Sequence, residues 1–510
     1  MIPTAGDSGE VDVRAPDAVQ GRGLAANVSA LATSQAITWT VTLLWTVVVP
    51  RAIGPQQMGL LTTGLSAAAI LGVVLGVPTR DFVAREMVAD HDRRASLLGT
   101  SLVLRLALTP IFLLLMATYA AQADLGRDGT TVLYLCAAAT LCTLFAEPAL
   151  ASFQAVERME FLAYTEVLNR SVQSFGGIAL ALLGVGIVGI TSLTAAVSLL
   201  VLGLSGLWAR RLVGLRWRTS LRGLWTVLRD SAPYWLTGVF FMLYLWVDAV
   251  MLGLLVPSEV VGWYGVATKL FTTTMFLPAL VATAFLPRLV RAFTTTGYDG
   301  LTVAARVPVE AVLVLGVPVC VGTTMAAHGA IALLYGPEFA GAADVLFVLG
   351  CCVPLMYLNI MINQVLIAAR RPVVWAWVLA GAGVVNICLN LVLIPAAQDR
   401  YDNGAVGAAS AMLLTEVAVV SVGLLLVGRR VVPVAGLHRV GRAVLAGAVM
   451  WGVMRVAEPA GVLVESLLGV LAFALAAHVL RVLSPDQRRE LGAAAARLLG
   501  RVGSSRRAGR

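Results

Sequence analysis

Charged residues are scarce along this chain of 510 residues: Asp, Glu, Lys and Arg together make up 13% of it, whereas 59% is hydrophobic. Ordinary soluble domains carry about 25% charged residues. The scarcity excludes one or two soluble domains, because their cores could not bury so many apolar side chains. A lipid bilayer is the solvent that this composition indicates.

Cysteine and histidine are also rare, and neither forms a pattern. The six cysteines all lie in apolar segments, without a CxxC pair or a disulfide framework. The four histidines are scattered, with neither a metal-binding spacing nor an HExxH sequence. We therefore expect no metal site and no cofactor. Ser8, in "GDSGE", resembles a nucleophile only superficially, because no histidine is near it in the sequence.

The chain also lacks a P-loop, and no loop between its apolar runs is long enough for the clustered polar residues of a membrane enzyme. We therefore expect a protein that is not an enzyme. Any energy for its work would come from an ion gradient, the membrane potential or the gradient of a cargo.

Long apolar runs recur along the whole chain. A helix needs about 20 apolar residues to span the hydrocarbon of a bilayer. The runs predict an all-α, polytopic membrane protein with about fourteen transmembrane helices. They lie at 27–50, 58–79, 97–119, 131–150, 161–186, 190–209, 231–254, 262–287, 306–333, 344–368, 373–395, 405–427, 443–457 and 461–482. The polar residues 1–26 lack the basic start and short apolar core of a signal peptide.

Arginine placement predicts the orientation of these helices. If residues 1–26 lie in the cytoplasm, cytoplasmic segments carry about 30 basic residues and the outside loops about 3, namely Arg51, Arg127 and Arg400. Such a bias follows the positive-inside rule. It predicts cytoplasmic termini and a multi-pass protein of the plasma (inner) membrane. It also explains the net charge of +9 without a nucleic-acid partner.

A basic link divides the spans into two sets. The segment "RRLVGLRWRTSLRGLWTVLRD" (210–230) is expected to lie on the cytoplasmic membrane surface as an amphipathic helix. It separates an N-lobe of helices 1–6 (27–209) from a C-lobe of helices 7–12 (231–427). A cytoplasmic loop with helices 13 and 14 (428–482) and a basic cytoplasmic tail (483–510) follow.

The two lobes share a short motif. Pro55 and Gly59 in the first outside loop match Pro257 and Gly262, about 200 residues later. Repeats of this kind are typical of transporters, in which two helical bundles flank a central binding site.

Several segments resemble polysaccharide exporters of the Wzx type. The opening "LLWTVVVPRAIGPQQMGLLTTGLSAAAILGVVLGVPTRDFVARE" (43–86) is similar to theirs, with its Arg-x-x-Gly-Pro turn. "FQAVERMEFLAYTEVLNR" (153–170), "VDAVMLG" (247–253), "VGWYGVATKLF" (261–271) and "LLYGPEFAGAADVLFVLG" (333–350) resemble later parts of the family in order and spacing. The superfamily also contains multidrug exporters and the lipid II flippase type.

The resemblance implies two six-helix lobes around a central V-shaped cavity, two additional C-terminal helices and alternating access. It further implies a cargo, a polyprenyl-pyrophosphate-linked oligosaccharide for cell-surface polysaccharide, that is flipped from the inner to the outer leaflet. Polymerases or glycosyltransferases of the same pathway would then be partners. Two alternatives stay open: a multidrug or small-molecule exporter on the same fold, and a membrane enzyme or polymerase of the glycan pathway.

Lys269, the only lysine of the sequence, lies in an apolar run. It is about seven residues inside span eight, or about 10 Å at the helical rise, with Thr272 and Thr273 one turn further on. Asp248 lies at a similar depth in span seven. Intramembrane charge is costly and indicates function. Lys269 either binds a diphosphate or an acidic sugar, pairs with Asp248, or extends its amine to the membrane surface.

Other polar residues within or beside the spans are candidates for two roles. Sugar or phosphate would bind hydroxyl, amide and guanidinium groups, whereas helix–helix hydrogen bonds or structural ion pairs are the alternative for the same residues. The further substrate-binding candidates are Arg51, Arg105, Arg170, Gln35, Thr38, Thr272, Asn359 and Asn363. The candidates for ion pairing, or for binding a coupling proton or sodium ion, are Asp248, Glu147, Glu166, Glu310 and Glu416.

Overall fold

The structure, a computed structural model, describes residues 24–217, 219–428 and 434–482, with side chains from residue 43 onward except at 434–437. This part of the chain contains fifteen α-helices and no β-strand. The predicted N-terminal and C-terminal tails lie almost entirely outside the described residues.

The first half contains six helices. Their bounds are α1 Leu24–Gly72, α2 Arg80–Ala89, α3 Arg94–Gln122, α4 Gly126–Ala155, α5 Met159–Leu182 and α6 Gly186–Leu212. The second half contains the other nine. Their bounds are α7 Leu221–Leu255, α8 Ser258–Thr274, α9 Phe276–Met325, α10 Ala327–Tyr335, α11 Gly341–Ala368, α12 Pro372–Tyr401, α13 Gly404–Val427, α14 Val434–Ala457 and α15 Val462–Val479.

Eleven helical stretches of the described residues are long and apolar enough to cross a membrane. Two of them, Leu43–Ala89 and Ser258–Met325, each include residues of two predicted spans. The fifth predicted span corresponds to α5, a helix of 24 residues that is not among the eleven stretches. All fourteen predicted spans are therefore helical, and the prediction of an all-α polytopic protein is confirmed.

Two long helices bend at a glycine. Within α1, Gly54 has φ 78°, and within α9, Gly297 has φ 65°. These values lie in a region that glycine adopts without the steric cost that other residues incur. Each bend lies between two predicted spans. Spans that were predicted as separate helices are therefore continuous through one bent helix.

The link between the lobes differs from the prediction. Helix α6 ends at Leu212, and no helix forms in the described part of the next eight residues. From Leu221 the chain is already in α7, which continues to Leu255. Ser220 caps this helix by accepting a hydrogen bond from the Gly223 N–H at 3.0 Å. The expected separate amphipathic helix is therefore absent, and its second half forms the first turns of α7.

Helices α1–α6 pack mainly on one another, as do α7–α13, whereas α14 and α15 pack on each other and on α9. The two lobes meet where α1 contacts α7 and α8 and where α3 contacts α7. One large apolar core runs through both lobes, and a smaller one joins α2, α3, α4, α6 and the start of α7. Both α5 of the N-lobe and α8 of the C-lobe pack on α1.

Candidate functional site

The matched motifs of the two lobes contact each other. A Cβ added at Gly59 would lie 1.6 Å from the Ser258 carbonyl oxygen, and one added at Gly262 would lie 2.0 Å from that of Pro55. Only glycine permits backbones to approach so closely. We call this contact the α1–α8 crossing, made by residues 55–62 and 258–265. It closes the cleft between the lobes at the face that carries Arg51, Arg127 and Arg400, termed here the arginine-poor face.

Arg51 belongs to the same closed region. It lies in α1 just before the Gly54 bend, and its Nη1 donates to the carbonyl oxygen of Leu333 in α10 at 3.2 Å. From α8, Trp263 Nε1 donates to the Glu338 carbonyl oxygen at 3.1 Å. The structure therefore places Arg51 at the contact between the lobes, apart from the other predicted cations.

Lys269 and Arg170 are cations that belong to opposite lobes. Lys269 lies on α8 and Arg170 on α5, and they are close enough for their charges to repel each other. Protein surrounds most of Lys269, yet its side chain is solvent-accessible, as expected for a residue that lines a cleft. Arg170 is also exposed and pairs with Glu166 one turn earlier, at 2.5 Å. Two exposed cations, one from each lobe, therefore lie within electrostatic range of each other.

Of the three alternatives for Lys269, the pairing with Asp248 is not formed in this structure. Among the described residues, Lys269 forms no ion pair with a carboxylate within 4.0 Å. Asp248 is buried and interacts with uncharged side chains of neighbouring helices. The two residues are at similar depths, but the sequence could not predict that they point in different directions.

The hydroxyl and amide candidates lie in different places. Thr272 is exposed one turn beyond Lys269, with its hydroxyl bonded to the Lys269 carbonyl oxygen at 3.0 Å. Asn359 is buried in α11, and Asn363 is half-buried one turn further along. The side chains of Gln35 and Thr38 lie outside the described ones.

Arg105 and Glu147 form a pair inside the N-lobe. Arg105 of α3 is fully buried, and its Nη2 donates to Glu147 Oε2 of α4 at 2.8 Å and to the Pro78 carbonyl oxygen at 2.9 Å. The guanidinium therefore joins α3 and α4 to the segment that precedes α2. This placement favours the structural alternative for Arg105 over contact with a substrate in the cleft.

A buried polar cluster occupies the centre of the C-lobe. Asp248 of α7 accepts hydrogen bonds from Tyr264 of α8 at 3.0 Å and from Asn390 of α12 at 2.6 Å. Asn390 also donates to Asn386 at 2.8 Å, while its own Oδ1 is buried without a hydrogen-bond partner. We call these residues, with Glu416 described next, the C-lobe carboxylate cluster.

Glu416 of α13 is the second carboxylate of this cluster and is fully buried. It accepts hydrogen bonds from the Tyr244 hydroxyl and, at 2.9 Å, from Asn359. No lysine, arginine or histidine of the described residues forms an ion pair with Asp248 or Glu416. Two buried carboxyl groups without a basic partner require neutralisation by a proton or a bound cation.

Glu310 is occupied by a structural contact. It lies in α9, and Arg439 of α14 donates to its Oε1 at 2.8 Å. This ion pair joins the additional C-terminal helices to the C-lobe.

Sequence reasoning did not identify Tyr264 and Tyr244. Each places a hydroxyl on a buried carboxylate, but in the sequence each is one aromatic residue within an apolar run. The signal that was available is Asp248 itself, because a carboxylate in an apolar helix needs donors from neighbouring helices. The sequence does not show which helices supply them.

Two family models match the chain. The model described as "Polysaccharide biosynthesis protein" matches residues 24–293, and the model MatE matches residues 233–392. Two proteins of Haloferax volcanii are similar in sequence. The "Probable low-salt glycan biosynthesis flippase Agl15" is 23% identical over 72% of this chain and 75% of its own length. The "Probable flippase AglR" is 27% identical over 51% of this chain and 53% of its own length.

Solved structures share the fold. The lipid II flippase MurJ in an inward closed conformation matches with a TM-score of 0.70 at 13% identity, covering 88% of this chain and 98% of MurJ. An inward-facing multidrug resistance MATE transporter of the MOP superfamily matches with a TM-score of 0.62 at 15% identity, covering 77% of this chain and 94% of that protein. The chain therefore belongs to the polysaccharide biosynthesis protein family, and it shares the fold of the MurJ and MATE structures.

Proposed function

We propose that the protein flips a polyprenyl-pyrophosphate-linked oligosaccharide, a precursor of cell-surface polysaccharide, from the inner to the outer leaflet. The observation that carries this proposal is the pair of exposed cations from opposite lobes, Lys269 and Arg170, which lie within electrostatic range of each other. The relative whose name specifies glycan biosynthesis, Agl15, supports the same class of cargo.

The charges explain why a diphosphate suits the cleft. With no anion between them, Lys269 and Arg170 repel each other, and Glu166 offsets only the charge of Arg170. A diphosphate between the lobes converts this repulsion into two attractions, and the guanidinium fork suits phosphate oxygens. The glycan would occupy the remaining polar space, while the polyprenyl chain stays in the bilayer.

A cationic drug does not fit this electrostatic arrangement. The MatE match and the MATE structure support the shared fold, but a multidrug exporter of cationic compounds would bring its cargo against two like charges. The relatives are flippases and transporters, so we also propose that the protein acts without catalysing a covalent reaction.

Ion coupling is the second part of the proposal. We place the coupling cation at Asp248 in the C-lobe carboxylate cluster, where its carboxylate and the unpartnered Oδ1 of Asn390 offer oxygen atoms. Oxygen ligands suit a hard cation such as sodium, and a proton would neutralise the same carboxylate.

Orientation follows from arginine placement. We propose that the arginine-poor face is the outside, that both termini are cytoplasmic, and that the protein resides in the plasma (inner) membrane. Glycosyltransferases that build the glycan and a polymerase that consumes it would then work on opposite faces of the same membrane.

The experiment that tests the proposal uses cells without this protein. Their polyprenyl-linked glycans are extracted and assigned to a leaflet, before and after complementation. Wild type and Lys269→Arg are expected to clear a complete lipid-linked repeat from the inner leaflet. Lys269→Ala is expected to lose about 10-fold or more in rate, since a hydrogen bond to a charged group contributes about 1.5–3 kcal/mol.

Arg127→Ala serves as the matched control, because Arg127 is an exposed cation outside the cleft. Full activity of Lys269→Ala would refute the role of Lys269. The absence of any accumulated lipid-linked repeat, together with new sensitivity to cationic drugs, would replace the flippase by an exporter.

A further inference from the structure

Helix α8 carries three different features within eight residues. Gly262 and Gly265 form part of the α1–α8 crossing, Tyr264 reaches the C-lobe carboxylate cluster, and Lys269 faces the cleft. A movement of this one helix would therefore change the crossing and the cleft together.

Tyr264 links the first two features. Its side chain is buried, and its hydroxyl donates to Asp248 Oδ2 at 3.0 Å. Gly262 and Gly265, which flank Tyr264 in the sequence, lie in close contact with α1. A Cβ added at Gly265 would lie 2.3 Å from Thr62 Oγ1. Among the described residues of α8, no other side chain hydrogen-bonds a carboxylate.

We infer that Tyr264 is the positioning residue that transmits cation occupancy at Asp248 to the α1–α8 crossing. This inference rests on the proposed coupling cation. A cation on Asp248 takes up the oxygen that the Tyr264 hydroxyl now contacts, so the tyrosine has to release the carboxylate or share it. Because Tyr264 lies between Gly262 and Gly265 in the sequence of α8, a shift of Tyr264 would move the helix backbone that closes the arginine-poor face.

The groups that face Asp248 are few. Tyr264 lies on α8, Asn386 and Asn390 on α12, and Cys352 of α11 is close enough to interact electrostatically. None of them carries a positive charge. The bound cation would therefore be the principal compensating charge, and its arrival would act on Tyr264 directly.

Linkage makes the effect reciprocal. If the cation favours one state of the crossing, closing or opening the crossing must change the affinity for the cation by the same factor. Couplings between sites in proteins are typically about 5- to 150-fold. Removal of the Tyr264 hydroxyl should abolish the coupling and leave both the carboxylates and the glycines in place.

The test measures amide hydrogen exchange of the full-length protein in lipid nanodiscs, in peptides covering 55–62 and 258–265. Sodium replaces choline at constant ionic strength in one series, and pH is lowered in choline in another. Wild type is expected to change exchange at both segments by about 5-fold or more in one of the series. In Tyr264→Phe, exchange at both segments is expected to show no response to the cation in either series.

Tyr335→Phe is the matched control, because Tyr335 is equally buried but its hydroxyl has no hydrogen-bond partner. It should respond as wild type does. A tyrosine of purely structural importance would instead alter exchange without the cation and leave the response intact.

Two failures are distinguishable. If wild type and Tyr264→Phe respond equally, the inference about Tyr264 is wrong while the coupling cation stands. If wild type responds to neither series, the coupling cation of the proposed function is wrong, and the inference fails with it. Flipping activity of wild type in cells tests the cargo independently of both results.

Discussion

Gly262→Ala tests whether the α1–α8 crossing closes the cleft. The added methyl group would lie 2.0 Å from the Pro55 carbonyl oxygen, whereas ordinary van der Waals contact begins at 3.4 Å. The two helices would have to separate by about 1.4 Å at this point, because the obstructing atom belongs to the backbone and cannot rotate away. Overpacking of this kind costs about 1–3 kcal/mol.

That cost applies to the closed state alone, so it shifts the population toward the open state. A change of about 1–3 kcal/mol corresponds to about 5- to 150-fold in the equilibrium. We expect a cysteine at Thr272, in the cleft, to be labelled faster by a membrane-impermeant maleimide added from the arginine-poor side. The assay uses a background in which the exposed Cys388 is replaced by alanine.

Gly203→Ala and Gly206→Ala are the controls, since a Cβ at either position meets no atom within 4 Å. They should label as the parent does. If Gly262→Ala also labels at the parent rate and flips its cargo normally, the crossing is not the barrier at this face, and the reasoning from glycine contacts is refuted.

Three further changes have defined outcomes. Gly265→Ala should open the cleft as Gly262→Ala does, but Thr62→Ala should restore closure, because the obstructing atom at 2.3 Å is a side-chain oxygen; maleimide labelling of the double variant decides this. Asp248→Asn should raise the thermal unfolding midpoint in cation-free buffer, because the substitution removes a buried negative charge that has no basic partner. The midpoint of this variant should no longer depend on sodium, and a midpoint below that of wild type would contradict the reasoning. Arg105→Leu should lower the midpoint by leaving Glu147 unpaired, and adding Glu147→Leu should recover part of the loss; no recovery would contradict the pairing.

The helices could be predicted because each one corresponds to a single continuous run of apolar residues in the sequence. Even the thirteenth span, the shortest prediction at 443–457, lies in a helix, α14. The bends at Gly54 and Gly297 and the missing surface helix before Leu221 were not predictable, because hydropathy does not report backbone direction.

The candidate site was predictable only in part. The depth of a residue in the membrane can be estimated from the sequence, but the direction in which its side chain points cannot. Lys269 and Asp248 have similar depths, yet one faces the cleft and the other the interior of the C-lobe. Partners from distant segments were likewise hidden: nothing local indicates that Tyr264 and Asn390 donate to the same carboxylate.

The α1–α8 crossing has the self-complementarity of a symmetric dimer interface. Gly59 abuts the backbone at Ser258, and its counterpart Gly262 abuts the backbone at Pro55, so each lobe offers the other the same motif. In a dimer of identical chains, every residue on one side of the cleft would also be present at the equivalent position on the other side. Joining the two lobes in one chain removes that restriction, which allows a single lysine of one lobe to lie within electrostatic range of an arginine of the other.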